Sequence, residues 1–383
     1  MNIRKIVVLL STLCLLLLAT ACTPSNNGEL SIISIDLTDK NFKELGRVYY
    51  TDDKIYCALS GSGVEFTFTG IECTVTVVGD SGSSNLSMAD SQVRVAIYVN
   101  GERVIDDMID NPTETYEVFQ SDTEESVDVK IIKLSESANS TFAISDVTVI
   151  GRDIAPAEDK ERLIEFIGDS ITCGYGVDDE DRSHHFSTKT EDITKTYAYK
   201  TAEALDADYS MVSFSGYGIV SGYSNGSRKV SEQTLPQYYT KLGYSWASNE
   251  GFVPSDIEWE FERQPDVIVI NLGTNDNSYC RNLPDRCAEY QQEYVEFLKL
   301  VRDNNPDATI IGVLGIMGQE LYPYVEAAIK QYTEETGDKN VTYLMFDNQS
   351  EADGIAADWH PTEATHAKAS AKLVEKIKEV MGW

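Results

Sequence analysis

Three short segments carry residue types that fit nucleophilic acyl chemistry. The first is Gly168-Asp169-Ser170, directly after the apolar run 163–167. A strand ending there delivers the Ser170 hydroxyl to the edge of a sheet, where α/β proteins keep their chemistry. A serine hydroxyl is a weak nucleophile until a base takes its proton. The chain has four histidines: His184, His185, His360 and His366. His184 and His185 sit in an acidic, charged loop and read as solvated side chains. His366 lies within the last helical stretch and reads as a surface residue. His360 precedes Pro361 and opens that helix, in a loop able to reach the strand ends, so it is the expected base. A base needs a group that holds its tautomer and stabilises the imidazolium. Asp358, two residues earlier, is the candidate, and a backbone carbonyl is the alternative.

Acyl transfer also needs donors for the developing oxyanion. The Ser170 N–H lies at a helix start, where backbone donors are free. Gly216 follows the strand-like run 211–215, and glycine lets an N–H approach a ligand closely; Gly218 is the fallback. Asn275, in Gly273-Thr274-Asn275-Asp276 after the apolar run 267–272, offers a side-chain amide. Each alone also fits a plain turn or helix cap. Recurring at successive strand ends, they read as a serine hydrolase. Two chance motif matches are set aside. Gly79-Asp80-Ser81-Gly82 resembles a chymotrypsin-type nucleophile, but no histidine precedes residue 184. Gly222-Tyr223-Ser224-Asn225-Gly226 fits G-x-S-x-G without the strand before and helix after that an elbow requires.

The elements that must position these residues change character along the chain. From about 162 onward, strand-like segments end near Ile167, Phe214, Leu272, Leu314 and Phe346. Helical stretches at 197–205, 286–303, 322–335 and 363–380 alternate with them. This predicts a parallel sheet in a three-layer α/β/α domain. Two segments, 176–196 and 221–264, are too long for ordinary connections, and such loops tend to be functional. Residues from about 30 to 150 read as strands only. Their period-2 runs include 64–69, 93–99 and 142–149, and Asn100-Gly101 marks a hairpin. They predict a β-sandwich, with 154–160 as a linker.

The 383 residues favour two domains. Arg4 and Lys5, the apolar run 6–18 and Ala19-Thr20-Ala21-Cys22 look like a leader ending in a lipobox. Cys22 is then the lipidated first residue and residues 23–32 a tether, with simple secretion as the alternative. The net charge of −32 argues against nucleic acid, whose phosphates call for Lys and Arg. No Cys-x-x-Cys pair suggests a zinc knuckle. In an oxidising compartment Cys280 and Cys287 could close a small loop and Cys57 could bridge to Cys73. The sequence leaves both pairings open.

The segments 168–172, 216, 273–276 and 358–361 resemble, in order, the four motif blocks of the SGNH (GDSL) hydrolases. The longer string Gly168 to Gly176, the second block Ser215-Gly216-Tyr217-Gly218 and the preceding β domain are most similar to carbohydrate esterase family 2. SGNH enzymes generally place an aspartate three residues before the histidine, and here that position is Ala357, while family 2 esterases include members that look like Ser-His dyads. The resemblance implies a jelly-roll-like sandwich over 33–153 and a flavodoxin-like catalytic domain over 161–383. It also implies an extracytoplasmic serine esterase that removes acetyl groups from poly- or oligosaccharide without metal or cofactor. Ser170, His360 and Asp358 are then the catalytic residues, and Ser170, Gly216 and Asn275 the oxyanion donors. Trp359, Tyr217 and Trp246 are expected to stack on sugar, although packing is an equally ordinary role for such aromatics. The rivals are a lipase or thioesterase of the same fold, and a carbohydrate-binding protein with an inactive hydrolase domain.

Overall fold

The computed structural model of the protein describes residues 29–225 and 228–383. The leader, Cys22 and tether residues 23–28 lie outside the described residues, as does Gly226 of the G-x-S-x-G match.

The alternating strands of the first part build one antiparallel sheet. Its members are β1 (Ser31–Ser34), β2 (Lys43–Leu45), β3 (Val48–Tyr50), β4 (Ile55–Cys57), β5 (Gly63–Gly79), β6 (Arg94–Val99), β7 (Glu102–Met108), β8 (Thr113–Lys133) and β9 (Phe142–Pro156). The order is β3-β4-β9-β5-β8-β6-β7, with β1 on β9 and β2 on β5. Along β5 alternate side chains are buried, among them Val64, Phe66 and Phe68, then Cys73, Val75 and Val77. They share a core with Ile97 of β6, Ile131 of β8 and Val149 of β9. No helix contributes to that core, so the sheet must curl over its own inner face. Register shifts between Gly70 and Glu72 and between Cys73 and Thr74 supply the bends. The sandwich is therefore a single nine-stranded sheet folded on itself. Asn100 and Gly101 form the β6–β7 turn at φ 52° and 83°, as a two-residue hairpin of this kind needs. The expected linker is shorter than the sequence suggests. Ala155 and Pro156 still pair with Thr67 and Phe66, because β5 is long enough to carry β9 that far. Pro156, which lacks an N–H, falls at the strand's last position.

The second part is a parallel sheet of β10 (Leu163–Gly168), β11 (Asp208–Ser213), β12 (Val267–Asn271), β13 (Thr309–Ile316) and β14 (Val341–Asn348), in the order β11-β10-β12-β13-β14. β10 and β12 are buried throughout, as strands covered on both faces are. The helices are α1 (Ser170–Cys173), α2 (Tyr197–Ala204), α3 (Thr274–Cys280), α4 (Pro284–Asn304), α5 (Tyr322–Thr336) and α6 (Glu363–Met381). α2 and α6 pack on one face of the sheet, α4 and α5 on the other. The chain steps from β10 to β11 and then crosses back to β12. The crevice between β10 and β12 is thus the switch point where such folds bind ligands, and α1 and α3 begin there.

Two local expectations are corrected. His366 is fully buried, not a surface residue. It shares a stripe with Ala369, Ser370, Leu373 and Ile377, the face α6 turns inward. Its Nδ1 accepts the Tyr197 N–H at 3.1 Å, and burial pushes its pKa down to about 3. Cys57, Cys73, Cys173, Cys280 and Cys287 are all buried free thiols. Cys57 pairs with Phe142 and Cys73 with Val149 on the same strand. That spacing is roughly 20 Å along β9, far beyond the reach of a disulfide.

The two long loops hold only short 3-10 turns and isolated bridges of their own, and the β domain supplies further partners. The Trp246 N–H donates to the Ala138 carbonyl, and the Ser248 carbonyl accepts from Ser81. The Thr188 N–H donates to the Asp90 carbonyl, and that of Ile193 to the Leu134 carbonyl. Arg47, fully buried beyond β2, anchors the junction. Its Nη1 donates to the Tyr239 and Lys241 carbonyls at 2.6 Å each, and its Nη2 to Glu165 Oε2 at 3.2 Å. Rings of Tyr239, Trp259 and Phe261 surround the guanidinium. Removing one partner of a buried ion pair strands the other. Arg47→Met is therefore expected to lower unfolding free energy by about 3–5 kcal/mol. Arg47→Met with Glu165→Gln should lose less than Arg47→Met alone. Urea unfolding of the wild type, both single variants and the double variant checks this; additive losses would show that the two side chains are not coupled.

Candidate active site

β10 hands the chain to α1 in a tight turn. A Cβ on Gly168 would lie 2.0 Å from Thr172 Oγ1, so the glycine is needed for α1 to tuck against the strand. Asp169 caps α1, accepting the Ile171 N–H at 3.0 Å. Ser170 Oγ then lies 2.9 Å from His360 Nε2. His360 Nδ1 lies 3.1 Å from the Ala357 carbonyl oxygen. A carbonyl only accepts, so the ring proton sits on Nδ1 and Nε2 is left bare toward the serine. That is the tautomer a general base needs. Burial disfavours the charged ring and pushes its pKa down to about 4, opposed by the Ala357 carbonyl and the Asp358 charge. The Tyr175 ring stacks on the imidazole at 3.8 Å and 18°.

Asp358 is not the group that holds the ring. Asp358 and Trp359 both adopt left-handed backbone, at φ 47° and 66°. This turns the carboxylate toward the 176–196 loop. There it accepts from Tyr175 Oη at 2.6 Å and the Phe186 N–H at 3.1 Å, and it meets His185 Nδ1 at 2.9 Å. Ala357 stands where SGNH hydrolases generally carry an aspartate, and its backbone oxygen takes the ring proton instead. Gly176, at φ 64°, makes this approach possible: a Cβ there would lie 2.9 Å from Ala357 Cβ. His185 is exposed, as expected, yet it is tied to the base loop through Asp358. His184 pairs with Asp179.

Asn275 bonds to Asp169 and Tyr217, the neighbours in sequence of Ser170 and Gly216, but the three expected oxyanion donors are not equally free. The N–H groups of Ser170 and Gly216 have no partner among the described residues. Gly216 sits at φ 81°, and a Cβ there would meet nothing within 4 Å, so open space lies beside it. Asn275 Nδ2 donates to the Tyr217 carbonyl at 2.8 Å and to Asp169 Oδ2 at 3.3 Å. The fallback Gly218 is a packing position: a Cβ there would lie 2.6 Å from Asp276 Oδ2.

Sequence reasoning missed Asp276, read only as part of a motif. Its buried carboxylate accepts the N–H groups of Ile219, Val220 and Ser221 at 2.7–3.0 Å. It thereby fixes the chain after Gly216, despite burial that pushes its pKa up to about 6. An acidic residue opening a helix opposite a glycine-rich loop is the signal that could have found it. Of the expected sugar-stacking residues, Trp246 and Trp359 are exposed. Trp359 carries the Arg182 guanidinium on its face at 4.6 Å. Tyr217 is only 2% exposed, packed on Phe214, Tyr238 and Tyr244, and has no face left for a ligand. It contributes its carbonyl.

A doubly wound α/β/α domain, a serine and a histidine in proton-transfer contact at its switch point, and unpartnered N–H groups beside them define a serine-hydrolase type of site. Residues 166–368 match the GDSL-like lipase/acylhydrolase family, and the chain belongs to it. Residues 45–157 match the N-terminal domain of carbohydrate esterase 2. The chain is 31% identical over 338 residues to the cellulase/esterase CelE of Acetivibrio thermocellus, covering 85% of this chain but only 38% of that protein. It is 27% identical to an acetylxylan esterase/glucomannan deacetylase of Cellvibrio japonicus, over 95% of this chain and 96% of the other. Among solved structures it resembles a family two carbohydrate esterase from Clostridium thermocellum in complex with cellohexaose. That match has a TM-score of 0.75 at 28% identity, over 89% of this chain and 99% of the other.

Two outcomes follow from this geometry. Replacing Asp358 by Asn should lower kcat by about tenfold or less, the scale of one hydrogen bond. His360→Ala should lower it by about 10³-fold or more. Equal losses would restore Asp358 to the ring. The acid limb of kcat/KM should follow the neutral imidazole. Since the ring protonates only near pH 4, turnover should persist through pH 5–6 and fall below that range. A limb at the ordinary histidine value would show that the ring is more hydrated in solution than here.

Proposed function

We propose that the protein is a serine esterase removing O-acetyl groups from carbohydrate. The observation that carries the chemistry is the 2.9 Å contact between Ser170 Oγ and the bare His360 Nε2, beside two unpartnered N–H groups. Ser170 attacks the acetyl carbonyl while His360 takes its proton. The N–H groups of Ser170 and Gly216, with the Asn275 amide, receive the oxyanion. His360 returns the proton to the leaving sugar hydroxyl. Water, activated by the same base, then hydrolyses the acetyl-enzyme. The substrate class is supported by similarity across both domains to the deacetylase and family two esterase above. Trp359 and Trp246 are the exposed rings able to meet a sugar face. In the same reading 33–153 and 161–383 are the two domains, and Cys22 is a lipidated anchor outside the cytoplasm.

An esterase for lipids would place an apolar lid over the serine. The loop nearest the base instead carries Asp178, Asp179, Glu180, Asp181 and Arg182. The paired Ser170 and His360 also separate this reading from an inactive, carbohydrate-binding relative. Ser170 is 7% and His360 9% exposed, so little of the pair is open to solvent. Each methylene that fits an apolar pocket adds roughly 0.8 kcal/mol, so a lipase improves as the chain lengthens. Here kcat/KM on p-nitrophenyl esters should be highest for acetate and fall steeply by butyrate, with Ser170→Ala as the inactive control. Acetylated oligosaccharides should be deacetylated. A rise with acyl length would reject the acetyl assignment and leave the serine chemistry standing.

A further inference from the structure

The β8–β9 loop, residues 134–141, belongs to the β domain but is buried almost throughout beneath the catalytic strand ends. Glu136, 1% exposed, points its carboxylate at them. Oε2 accepts the Ser215 N–H at 2.7 Å, and the Cys173 thiol lies 3.7 Å from the same oxygen. Oε1 accepts from Asn139 Nδ2 at 2.8 Å. The backbone around the side chain is fixed as well. The Glu136 N–H donates to Glu191 Oε2 at 3.0 Å, and its carbonyl accepts Lys133 Nζ at 2.7 Å.

The two elements that Oε2 touches are the ones carrying the free oxyanion donors. Cys173 closes α1, whose first N–H is that of Ser170. Ser215 is the residue before Gly216. The Gly216 carbonyl is held in turn by the Tyr223 N–H at 2.7 Å. The turn is thus clamped on both sides of an amide that has no partner of its own among the described residues. A free N–H in a left-handed glycine turn has no reason to point at the serine unless its neighbours are fixed. Glu136 provides that fixation from a separate domain.

Resting on the esterase reading, we propose that Glu136 is a positioning residue of the oxyanion hole, setting the Gly216 N–H relative to α1 through Ser215. The β domain is then part of the catalytic apparatus and not only a neighbour of it. Glu136 touches no reacting atom. Its loss should therefore appear in kcat and spare KM, because a misplaced donor weakens the transition state more than the bound ester.

The test uses the full chain and two probes. One is p-nitrophenyl acetate. The other is an alkyl fluorophosphonate, which phosphonylates Ser170 and sets a phosphoryl oxygen where the oxyanion would lie. Loss of one oxyanion donor costs about 10²–10³-fold, so Glu136→Leu should lose about 30- to 100-fold in kcat and in phosphonylation rate, with KM within about threefold. Glu136→Asp, which withdraws the acceptor by one methylene but keeps the buried polar group, should lose about tenfold on the same scale. Glu136→Gln offers an amide oxygen to the same N–H and should retain about a third or more of both rates. Folded Glu136→Leu with kcat within about threefold of wild type overturns the proposal, as does a loss confined to KM. If Glu136→Leu does not fold, wild-type rates in Glu136→Asp overturn it. A wild type that ignores acetyl esters yet reacts with the fluorophosphonate removes the esterase reading, while the phosphonylation rates still decide this one.

Discussion

The constraint on which the site depends is that its base has no carboxylate to lean on. His360 holds its tautomer through one backbone oxygen, that of Ala357. A carbonyl fixes the proton on Nδ1 as an aspartate does, but it cannot follow the ring. The ring must therefore be held by packing. Tyr175 covers one face, and the left-handed turn at Asp358 and Trp359 aims the chain. Gly176 lets the two strands of chain pass at contact distance. Asp358, freed from the ring, joins Tyr175 and, in the 176–196 loop, His185 and Phe186 to the base loop by three polar contacts. The aspartate thus serves the base from outside, by immobilising the segment on which the base sits.

The other half of the machinery is held by buried carboxylates acting on backbone N–H groups. Asp169 caps α1, Asp276 gathers the three N–H groups after Gly218, and Glu136 takes that of Ser215. Each is fully or nearly fully buried. Burial alone would favour protonation, and the pKa values of Asp169 and Asp276 are pushed up to about 7 and about 6. The N–H groups oppose that shift. Such carboxylates cost desolvation and return geometry: each fixes a turn that has no ladder or helix to fix it. The loops that need fixing are those the β domain covers. This explains why a hydrolase sheet and a curled antiparallel sheet pack so closely, with Arg47 sealing the far end of the junction.

Much of this was legible in the chain because it follows from period and punctuation. Continuous apolar runs ended by glycine gave β10 and β12, and the residues after them open α1 and α3 at the switch point. The pair Ser170 and His360 needed no more than residue type and position. The unread parts share one physical cause: they depend on contacts between segments far apart in sequence. Asp358 and Ala357 differ by one residue, and only the left-handed turn decides which one faces the ring. His366 looked solvated because a single polar residue on an amphipathic helix gives no sign of its face until the stripe through Leu373 and Ile377 is drawn. Tyr217 stands in a motif, yet its ring is claimed by Phe214, Tyr238 and Tyr244 from neighbouring segments. Glu136 carries no motif at all, and its use appears only when the β8–β9 loop is laid beneath Ser215.

A base with so low a pKa sets a condition on the rest of the site. In the free protein the buried imidazole is a weak acceptor, since burial disfavours its charged form and no carboxylate bonds to the ring, the Asp358 charge acting only from a distance. In the proposed esterase reading, proton transfer from Ser170 becomes favourable only as negative charge develops on the substrate oxygen, because that charge then stabilises the imidazolium in a low-dielectric setting. The oxyanion and the imidazolium form one ion pair, each created by the other. In a triad a permanent carboxylate carries part of that burden. Here the donors around the oxyanion must carry more of it, for any drift of the oxyanion also weakens the base. A dyad of this kind therefore demands a more rigid oxyanion hole than a triad does. The buried carboxylates that pin the turns around Gly216 and Asn275 are the protein's answer to that demand.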